Sequence, residues 1–185
     1  MNDSASKFTF KVTVIGDGQV GKTSLIRKFT QGSFQKEYIK TIGAQFSVYD
    51  KEINQDKIRL MFWDIAGQDD FNFARPSFFK NSRAAIIVYS LEENDFGKQS
   101  FKNISKWHED IIKFCGNVPV VLFANKVDLI DEINLEKSEI QEIVDKRNFS
   151  GYFITSAKTG YGVINAFNTI IDELYRKFKA LSTQI

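Results

Sequence analysis

The sequence predicts an α/β fold with a six-stranded, mostly parallel sheet, one antiparallel edge strand and helices on both faces. Two continuous apolar runs, 83–89 and 118–124, are typical of parallel strands that are covered on both sides. Residues 101–115 between them carry apolar side chains at helical spacing, so strand, helix and strand predict a right-handed crossover. Two extended runs, 44–49 and 58–63, flank a polar break and predict a hairpin, which supplies the antiparallel strand.

The other predicted elements follow from the same two periodicities. Alternating β-branched residues favour a strand at 10–15, and helical spacing follows from Ser24 onward. A helix is expected at 136–147, a short strand at 152–155 and a terminal helix at 163–178, whose apolar side chains share one face. Trp107 and the single histidine, His108, are expected to be a packing residue and a surface residue rather than catalytic groups.

Composition indicates one domain. The 185 residues are 43% hydrophobic and 26% charged, which suits a single sizeable core, and the net charge of +2 is too small to suggest nucleic acid. We expect a flexible N-terminus at 1–7, a single domain at 8–180 and a short tail at 181–185. The only cysteine, Cys115, lies in an apolar helical stripe, so we expect a core position and a reducing compartment.

Targeting signals are not evident in the sequence. The polar start has no apolar stretch behind it, and no run approaches the 18 residues of a membrane span. Asn2 excludes the myristoylation pattern, and the last five residues contain no cysteine for prenylation. We therefore expect a cytoplasmic protein that meets membranes only peripherally, through a missing tail or through partners.

A glycine-rich stretch, GDGQVGKTS at 16–24, joins the first predicted strand to the first predicted helix. It matches the G-x-x-x-x-G-K-[ST] pattern of a phosphate-binding loop, which places the fold among P-loop NTPases. Its glycines let backbone N–H groups approach phosphate oxygens, and the helix N-terminus adds unpaired donors. In this pattern Lys22 reaches the β- and γ-phosphates, and the Thr23 hydroxyl enters the coordination shell of Mg²⁺. The alternative, an ordinary glycine-rich turn, leaves the Gly-Lys-Thr sequence unexplained.

An acidic motif, DIAG at 64–67, ends a predicted strand. A carboxylate at that position can hold a Mg²⁺ water, and the N–H of the glycine can face the γ-phosphate. Asp-x-x-Gly is weak evidence alone. Together with the phosphate loop upstream, it predicts that Asp64 contributes to a metal site and that Gly67 contacts nucleotide.

Two motifs, NKVD at 125–128 and SAK at 156–158, close later predicted strands at the edge where doubly wound sheets bind ligands. Asp128 can accept two parallel hydrogen bonds from the N1–H and amino group of guanine, a pair of donors that adenine lacks. Asn125 is expected to tie this loop to the phosphate loop, and the Lys126 stem to cover the base. Backbone N–H groups at 157–158 can donate to guanine O6. In isolation, a plain polar turn explains NKVD equally well.

These motifs resemble the Ras superfamily of small GTPases across 8–178, and TIGAQF at 41–46, WDIAGQ at 63–68 and ITSAKTG at 154–160 look most like the Rab branch. The resemblance implies that Thr41 binds Mg²⁺ and the γ-phosphate and that Gln68 positions the attacking water. It also implies an aromatic triad that effectors read, formed by Phe46, Trp63 and Phe78. Ordinary strand packing is the alternative for these aromatic side chains.

The sequence and the resemblance together give a candidate site. Its catalytic residues are Gln68, Lys22 and Thr41, and its metal ligands are Thr23, Thr41 and Asp64. The residues expected to bind GTP or GDP are Gly18, Gln19, Val20, Gly21, Lys22, Thr23, Ser24, Phe34, Tyr38, Thr41, Gly67, Asn125, Lys126, Asp128, Ser156, Ala157 and Lys158.

Several positions depart from the family pattern. Gln19 stands where the family often has glycine or alanine, so its side chain either crowds the γ-phosphate or serves as an extra donor. Asp69-Asp70 replaces the usual Glu-Arg and is expected to alter contacts with regulators. The 92–98 loop is a few residues longer than the Rab pattern, and the tail lacks the paired cysteines of Rabs.

The expected function is a GTP/GDP switch that hydrolyses GTP slowly, acts as a Rab-like regulator of membrane traffic or related signalling, and is monomeric. Expected partners are effectors, exchange factors and GTPase-activating proteins, and not nucleic acid. The segment 36–40 offers lysines but no arginine that could act in cis, so slow intrinsic turnover follows. The alternatives are a hydrolysis-deficient, GTP-bound scaffold and an adenine-dependent phosphotransferase, which the guanine-reading motifs argue against.

Overall fold

One mixed sheet organises the molecule in a computed structural model, which describes residues 6–35, 41–67, 75–130 and 137–182. The six strands lie in the order β2-β3-β1-β4-β5-β6. Their bounds are β1 Lys7–Ile15, β2 Ala44–Ile53, β3 Asp56–Ile65, β4 Ala84–Ser90, β5 Val120–Asn125 and β6 Gly151–Ile154. Only the edge pair β2–β3 is antiparallel among the strand pairs of these ranges. The predicted fold class is confirmed.

The helices complete the α/β pattern. They are α1 Lys22–Gln31, α2 Arg75–Phe79, α3 Asp95–Lys102, α4 Ile104–Cys115, α5 Lys137–Arg147 and α6 Val163–Ser182, and a 3₁₀ turn lies at Val127–Leu129. Because β1, β3, β4, β5 and β6 run in the same direction, their carboxyl ends and the loops that follow them meet at one edge of the sheet.

Two apolar cores cover the two faces of the sheet. On the first face, α1 and α6 pack on the strands, and the Phe29 and Phe167 rings stack with centroids 4.4 Å apart. On the second face, α2, α4 and α5 contribute Phe79, Trp107 and Ile140 to the core. Strands β4 and β5 are buried along their whole length, as their continuous apolar sequences predict.

A buried carboxylate fastens the β2–β3 hairpin to the end of the chain. Asp56 lies in the stretch that the sequence presents as a polar break, yet it is only 2% exposed. It accepts hydrogen bonds from the Tyr175 hydroxyl at 2.9 Å and the Ser6 N–H at 2.7 Å, and it pairs with Lys179 at 2.8 Å. These bonds outweigh desolvation and hold the pKa of Asp56 below its usual value.

Three expectations need correction. The segment 101–115 is the end of α3 followed by α4, because the chain passes from one helix to the next at Asn103. His108 is buried at 8% exposure instead of lying on the surface, since its ring packs edge-on against Phe149. Cys115 is half-buried rather than a core residue, because it sits on the last turn of α4.

The boundaries of the ordered elements also differ slightly from the expected domain limits. Strand β1 begins at Lys7, inside the segment expected to be flexible, and α6 continues to Ser182. In the described part of the chain, no helix has the length and apolarity needed to cross a membrane.

Candidate functional site

The phosphate loop packs tightly against its neighbours. Gly16 and Gly21 have φ angles of 138° and 100°, which favour glycine. A Cβ on Gly16 would lie 2.1 Å from the carbonyl oxygen of Val88, and a Cβ on Gly21 would lie 2.3 Å from Asn125 Nδ2. Glycine is therefore required at both positions for this loop to sit between β4 and the 125–128 loop.

Lys22 stands at the centre of the loop. Its side chain is buried, and its ammonium donates to the carbonyl oxygens of Gly16 at 2.8 Å and Asp17 at 2.7 Å. The remaining phosphate-loop residues, Gly18 to Gly21, precede the first turn of α1, and Thr23 and Ser24 lie within that turn. The loop thus surrounds a cation with backbone groups at a helix N-terminus, an arrangement that suits an anionic ligand.

Three side chains with oxygen ligands meet beside this loop. The Thr41 hydroxyl lies 3.0 Å from the Thr23 hydroxyl and donates to Asp64 Oδ2 at 3.4 Å. Thr23 donates to the same carboxylate oxygen. Thr23 lies in α1, Thr41 in the segment before β2, and Asp64 in β3. The fold therefore brings together three residues that are far apart in sequence.

The chemistry of this cluster fits Mg²⁺. Asp64 is 3% exposed, and its Oδ1 atom has no hydrogen-bond partner among the described residues. Burial raises the pKa of Asp64, and the charge of Lys22 opposes that change. The described residues hold no group of three or more His, Cys, Asp or Glu side chains suited to a metal. Hydroxyls and one carboxylate leave positions for water and phosphate oxygens, as Mg²⁺ prefers.

Asn125 joins three loops. It is 1% exposed at the end of β5, and its Nδ2 donates to the carbonyl oxygen of Val20 at 2.9 Å. Its Oδ1 accepts the N–H of Ala157 at 3.1 Å. Asn125 therefore fixes the phosphate loop and the 156–158 loop to the 125–128 loop.

Asp128 is oriented by the neighbouring loop. The Ser156 hydroxyl donates to Asp128 Oδ1 at 2.6 Å, and Lys158 Nζ lies 3.5 Å from Oδ2. The Asp128 side chain is 13% exposed, so only a small part of the carboxylate faces solvent. Such a fixed carboxylate is suited to two parallel hydrogen bonds from one planar ligand.

The remaining predicted residues divide into described and undescribed positions. Gly67 lies against the phosphate loop, because a Cβ there would come within 2.3 Å of the Gly16 carbonyl oxygen. Phe34 lies beyond α1 and is 37% exposed. Gln68 and Tyr38 lie outside the described residues, as do Asp69-Asp70 and the 36–40 lysines.

The predicted aromatic triad forms one continuous patch. The Phe46 and Trp63 rings stack with centroids 6.1 Å apart, and the Trp63 and Phe78 centroids are 6.3 Å apart. Phe46 is 61% exposed, so it is not an ordinary packing residue of the core. Ile42 and Val48, at 76% and 46% exposure, extend the apolar surface of this edge.

Sequence reasoning missed two residues that support the phosphate loop. Trp107 Nε1 donates to Asp17 Oδ1 at 2.7 Å, and Asn103 Nδ2 donates to Asp17 Oδ2 at 2.7 Å. Both donors belong to the start of α4, so this helix anchors the loop through a carboxylate. The available signal was Asp17 itself, a charged residue inside a loop that binds anions, which needs partners of its own.

Gln19 adopts an unusual backbone conformation. Its φ of 64° lies in the left-handed region, which is energetically unfavourable for most residues other than glycine, and the residue is exposed. Gln19, which departs from the family pattern, therefore also places local backbone strain in the phosphate loop.

Comparisons with known proteins agree with this geometry. A model of the Ras family matches residues 11–176. The chain is also 34% identical over 170 residues to the GTP-binding protein RHO1 of Saccharomyces cerevisiae, an alignment that covers 85% of this chain and 79% of that protein. The name of this relative is a Rho name, so the comparisons support the wider family without assigning the Rab branch.

Proposed function

The chain belongs to the Ras family of small GTPases, and from that premise we propose that the loops described above form its nucleotide switch. As a member of this family it binds GTP and GDP with Mg²⁺ and hydrolyses GTP. The observation that carries the assignment of residues is the meeting of Thr23, Thr41 and Asp64 beside the Lys22 cradle.

The phosphate side of the site neutralises and orients the triphosphate. Lys22, held over the loop by two carbonyl oxygens, contributes positive charge to the β- and γ-phosphates, and backbone N–H groups of Gly18 to Lys22 bind their oxygens. Thr23, Thr41 and Asp64 would hold Mg²⁺, which would supply positive charge against the negative charge that develops on the transferred phosphoryl group. No side chain becomes a covalent nucleophile in this mechanism.

The base side of the site selects guanine. Asp128, oriented by Ser156, accepts the N1–H and amino group, while the N–H groups of Ala157 and Lys158 donate to O6. Lys126 lays its stem against the base, and Phe34 lies at its edge. Adenine presents no matching pair of donors to Asp128, so the site discriminates because an adenine nucleotide forgoes the two hydrogen bonds that guanine makes to this carboxylate.

The switch depends on the γ-phosphate. Thr41 lies with Thr23 and Asp64 in the proposed Mg²⁺ cluster, and Gly67 lies against the phosphate loop. Both would contact the γ-phosphate and thereby order their flanking segments, and hydrolysis would remove those contacts. Gln68 would position the attacking water, and slow intrinsic turnover follows because the 36–40 segment offers no arginine.

A Rab-like role is supported by the aromatic patch, in which Phe46 is exposed and Trp63 and Phe78 are half-buried. The three rings contact one another in series and form a contiguous surface that an effector could read. We therefore propose a regulator of membrane traffic or related signalling that is monomeric, acts through effectors and is served by exchange and activating proteins. Attachment to a membrane would be peripheral, and 8–180 would form one domain.

Single-turnover hydrolysis tests the mechanism. Purified protein is loaded with GTP, Mg²⁺ is added, and the bound nucleotide is chromatographed over several hours. We expect conversion to GDP at about 10⁻⁴ to 10⁻² s⁻¹, and slower conversion in Gln68→Leu. An unchanged rate in this variant would remove Gln68 from the mechanism, and GTP that persists in the wild-type protein would favour a hydrolysis-deficient scaffold.

A further inference from the structure

We propose that Glu92 is a positioning residue of the nucleotide site, which holds Lys126 in place and thereby slows release of bound guanine nucleotide. The inference rests on the proposed role of the 125–128 loop in binding the base. Glu92 belongs to the loop that is longer than the Rab pattern, and none of the roles described above uses it.

Glu92 forms an ion pair with the lysine of the base-reading loop. Its Oε2 accepts a hydrogen bond from the Lys126 ammonium, and the Ser90 hydroxyl donates to the same oxygen at 2.9 Å. The two charged side chains are only 24% and 22% exposed, so solvent screens them less than it screens a surface pair. Removing one partner of this pair is therefore expected to cost more than removing one partner of an ordinary surface salt bridge.

An aromatic ring completes the surroundings of the Lys126 ammonium. Nζ of Lys126 lies 5.2 Å from the centroid of the Phe96 ring, within the range of a cation–π contact. Phe96 is itself partly buried against the first core cluster, so the ring is fixed. The ammonium thus has a carboxylate from the β4–α3 loop and an aromatic face from the first turn of α3 as partners, since residues 95–98 of the expected 92–98 loop belong to α3.

The backbone around Glu92 is fixed to the base-reading loop. The N–H of Leu91 donates to the carbonyl oxygen of Asn125 at 2.8 Å, which continues the β4–β5 pairing into the two loops. A Cβ on Gly97 would lie 1.9 Å from the carbonyl oxygen of Glu92, so the first turn of α3 presses directly on this residue. Asn94 caps that turn by accepting the Gly97 N–H at 2.9 Å.

The ionised Glu92 carboxylate fixes the conformation of the Lys126 side chain. Burial acts to raise the pKa of Glu92, but the hydrogen bonds from Lys126 and Ser90 outweigh it and keep the pKa below its usual value. The carboxylate is therefore ionised at neutral pH. A lysine stem has many rotamers, so fixing it before the ligand arrives removes an entropic cost from binding.

Release of fluorescently labelled GDP into excess unlabelled GDP tests this role in the full chain. Glu92→Gln removes the charge at nearly constant shape, and we expect dissociation about tenfold faster, since one charge-assisted hydrogen bond is weakened. Glu93→Gln is the matched control, because Glu93 is exposed and has no such contact in the described structure. A dissociation rate in Glu92→Gln within twofold of wild type, or a slower one, would overturn the proposal.

A double-mutant cycle separates positioning from a general structural role. Lys126→Met keeps an apolar stem but removes the ammonium. If Glu92 acts through Lys126, adding Glu92→Gln to Lys126→Met changes the dissociation rate by less than twofold. An equal tenfold effect in both backgrounds would contradict the proposal, because Glu92 would then act independently of Lys126.

Different results would contradict the nucleotide site and the role of Glu92. Wild-type protein that does not retain labelled GDP would contradict the nucleotide site itself. Wild-type protein that retains GDP, combined with an unaffected Glu92→Gln variant, would leave the site intact and refute only the role of Glu92.

Discussion

The loops at the carboxyl edge of the sheet and the outer surface of β2 are built in opposite ways. The loops are joined by buried polar contacts, in which Asn125 and Asp17 each bind two partners from distant segments. The β2 side instead leaves large apolar residues such as Phe46 and Ile42 in solvent. Buried contacts within the chain thus hold the proposed nucleotide site together, while the exposed apolar residues of β2 fit the proposal that another molecule covers this surface.

This difference predicts which substitutions affect nucleotide release and stability and which do not. Changes among the buried contacts should release nucleotide and lower stability together, because the same hydrogen bonds serve both. Changes on the β2 surface should alter neither, since those side chains have few partners to lose. Four variants, ordered from the largest to the smallest expected effect, test this division.

Asn125→Ala should have the largest effect. It removes both hydrogen bonds that tie the three loops and leaves the Val20 carbonyl and Ala157 N–H without these partners in a buried site. We expect a loss of about 2 to 5 kcal/mol in the free energy of unfolding. GDP dissociation should be faster on the order of 100-fold. Urea denaturation and release of labelled GDP measure the two effects.

Asn165→Ala is the control for this variant, because Asn165 is exposed on α6. Its stability and GDP dissociation should match wild type. If Asn125→Ala behaved like the control, the loops would not be held together by this side chain.

Trp107→Phe tests the anchoring of the phosphate loop by α4. The variant keeps an aromatic ring in the core but loses the N–H that donates to Asp17. We expect a loss of about 1.5 to 3 kcal/mol, the usual contribution of a hydrogen bond to a charged group. GDP release should accelerate by about tenfold. A stability loss without faster GDP release would show that Trp107 supports only the core, not the loop.

The buried histidine next to this anchor predicts a dependence of stability on pH. Burial lowers the pKa of His108, the charge of Arg147 lowers it further, and Glu109 opposes them. Its Nδ1 has no hydrogen-bond partner among the described residues. Because the unfolded chain then binds the proton more readily than the folded one, stability should fall as pH drops through about 6.5.

His108→Phe provides the comparison for this effect. Phenylalanine keeps an edge contact with Phe149 but cannot take up a proton. The difference between wild type and variant should change by at most about 1.4 kcal/mol per pH unit near pH 6. Parallel stability curves for the two proteins, measured by urea denaturation from pH 5 to 8, would contradict the assignment.

Phe46→Ala should have the smallest effect. Because Phe46 is 61% exposed, we expect less than about 0.5 kcal/mol of destabilisation and no change in GDP dissociation. Phe62→Ala, on the neighbouring strand but fully buried, should instead cost about 3 to 5 kcal/mol. A comparable loss in both variants would mean that Phe46 belongs to the core and not to a recognition surface.

The sequence predicts most of the fold because its signals are local. The apolar runs of β4 and β5, the hairpin and the glycine-rich loop each lie within a short stretch, and the structure contains all of them. The motif residues Lys22, Asp64 and Asn125 also lie at the sheet edge that doubly wound folds use. The family comparisons confirm a guanine-nucleotide GTPase, whereas the roles of individual residues and the Rab-like function remain predictions.

What the sequence could not show depends on contacts between distant segments. Trp107 looked like a simple packing residue, because nothing in the spacing of α4 reveals that its N–H meets Asp17. Asp56 looked like a turn residue, although α6 covers it with Tyr175. Glu92 looked like part of a loop longer than the Rab pattern, and only the pairing of Leu91 with Asn125 brings it to Lys126.

We propose that one guanine nucleotide is held at both ends, by the phosphate loop with Mg²⁺ and by Asp128. The most direct measurement is to release and identify the nucleotide that copurifies with the full chain, and to titrate GDP and ATP against the emptied protein with Mg²⁺ present. The account predicts stoichiometric GDP or GTP, tight rebinding of GDP and no competition by ATP at equal concentration. Protein that purifies without nucleotide and shows no affinity for GDP or GTP would contradict it.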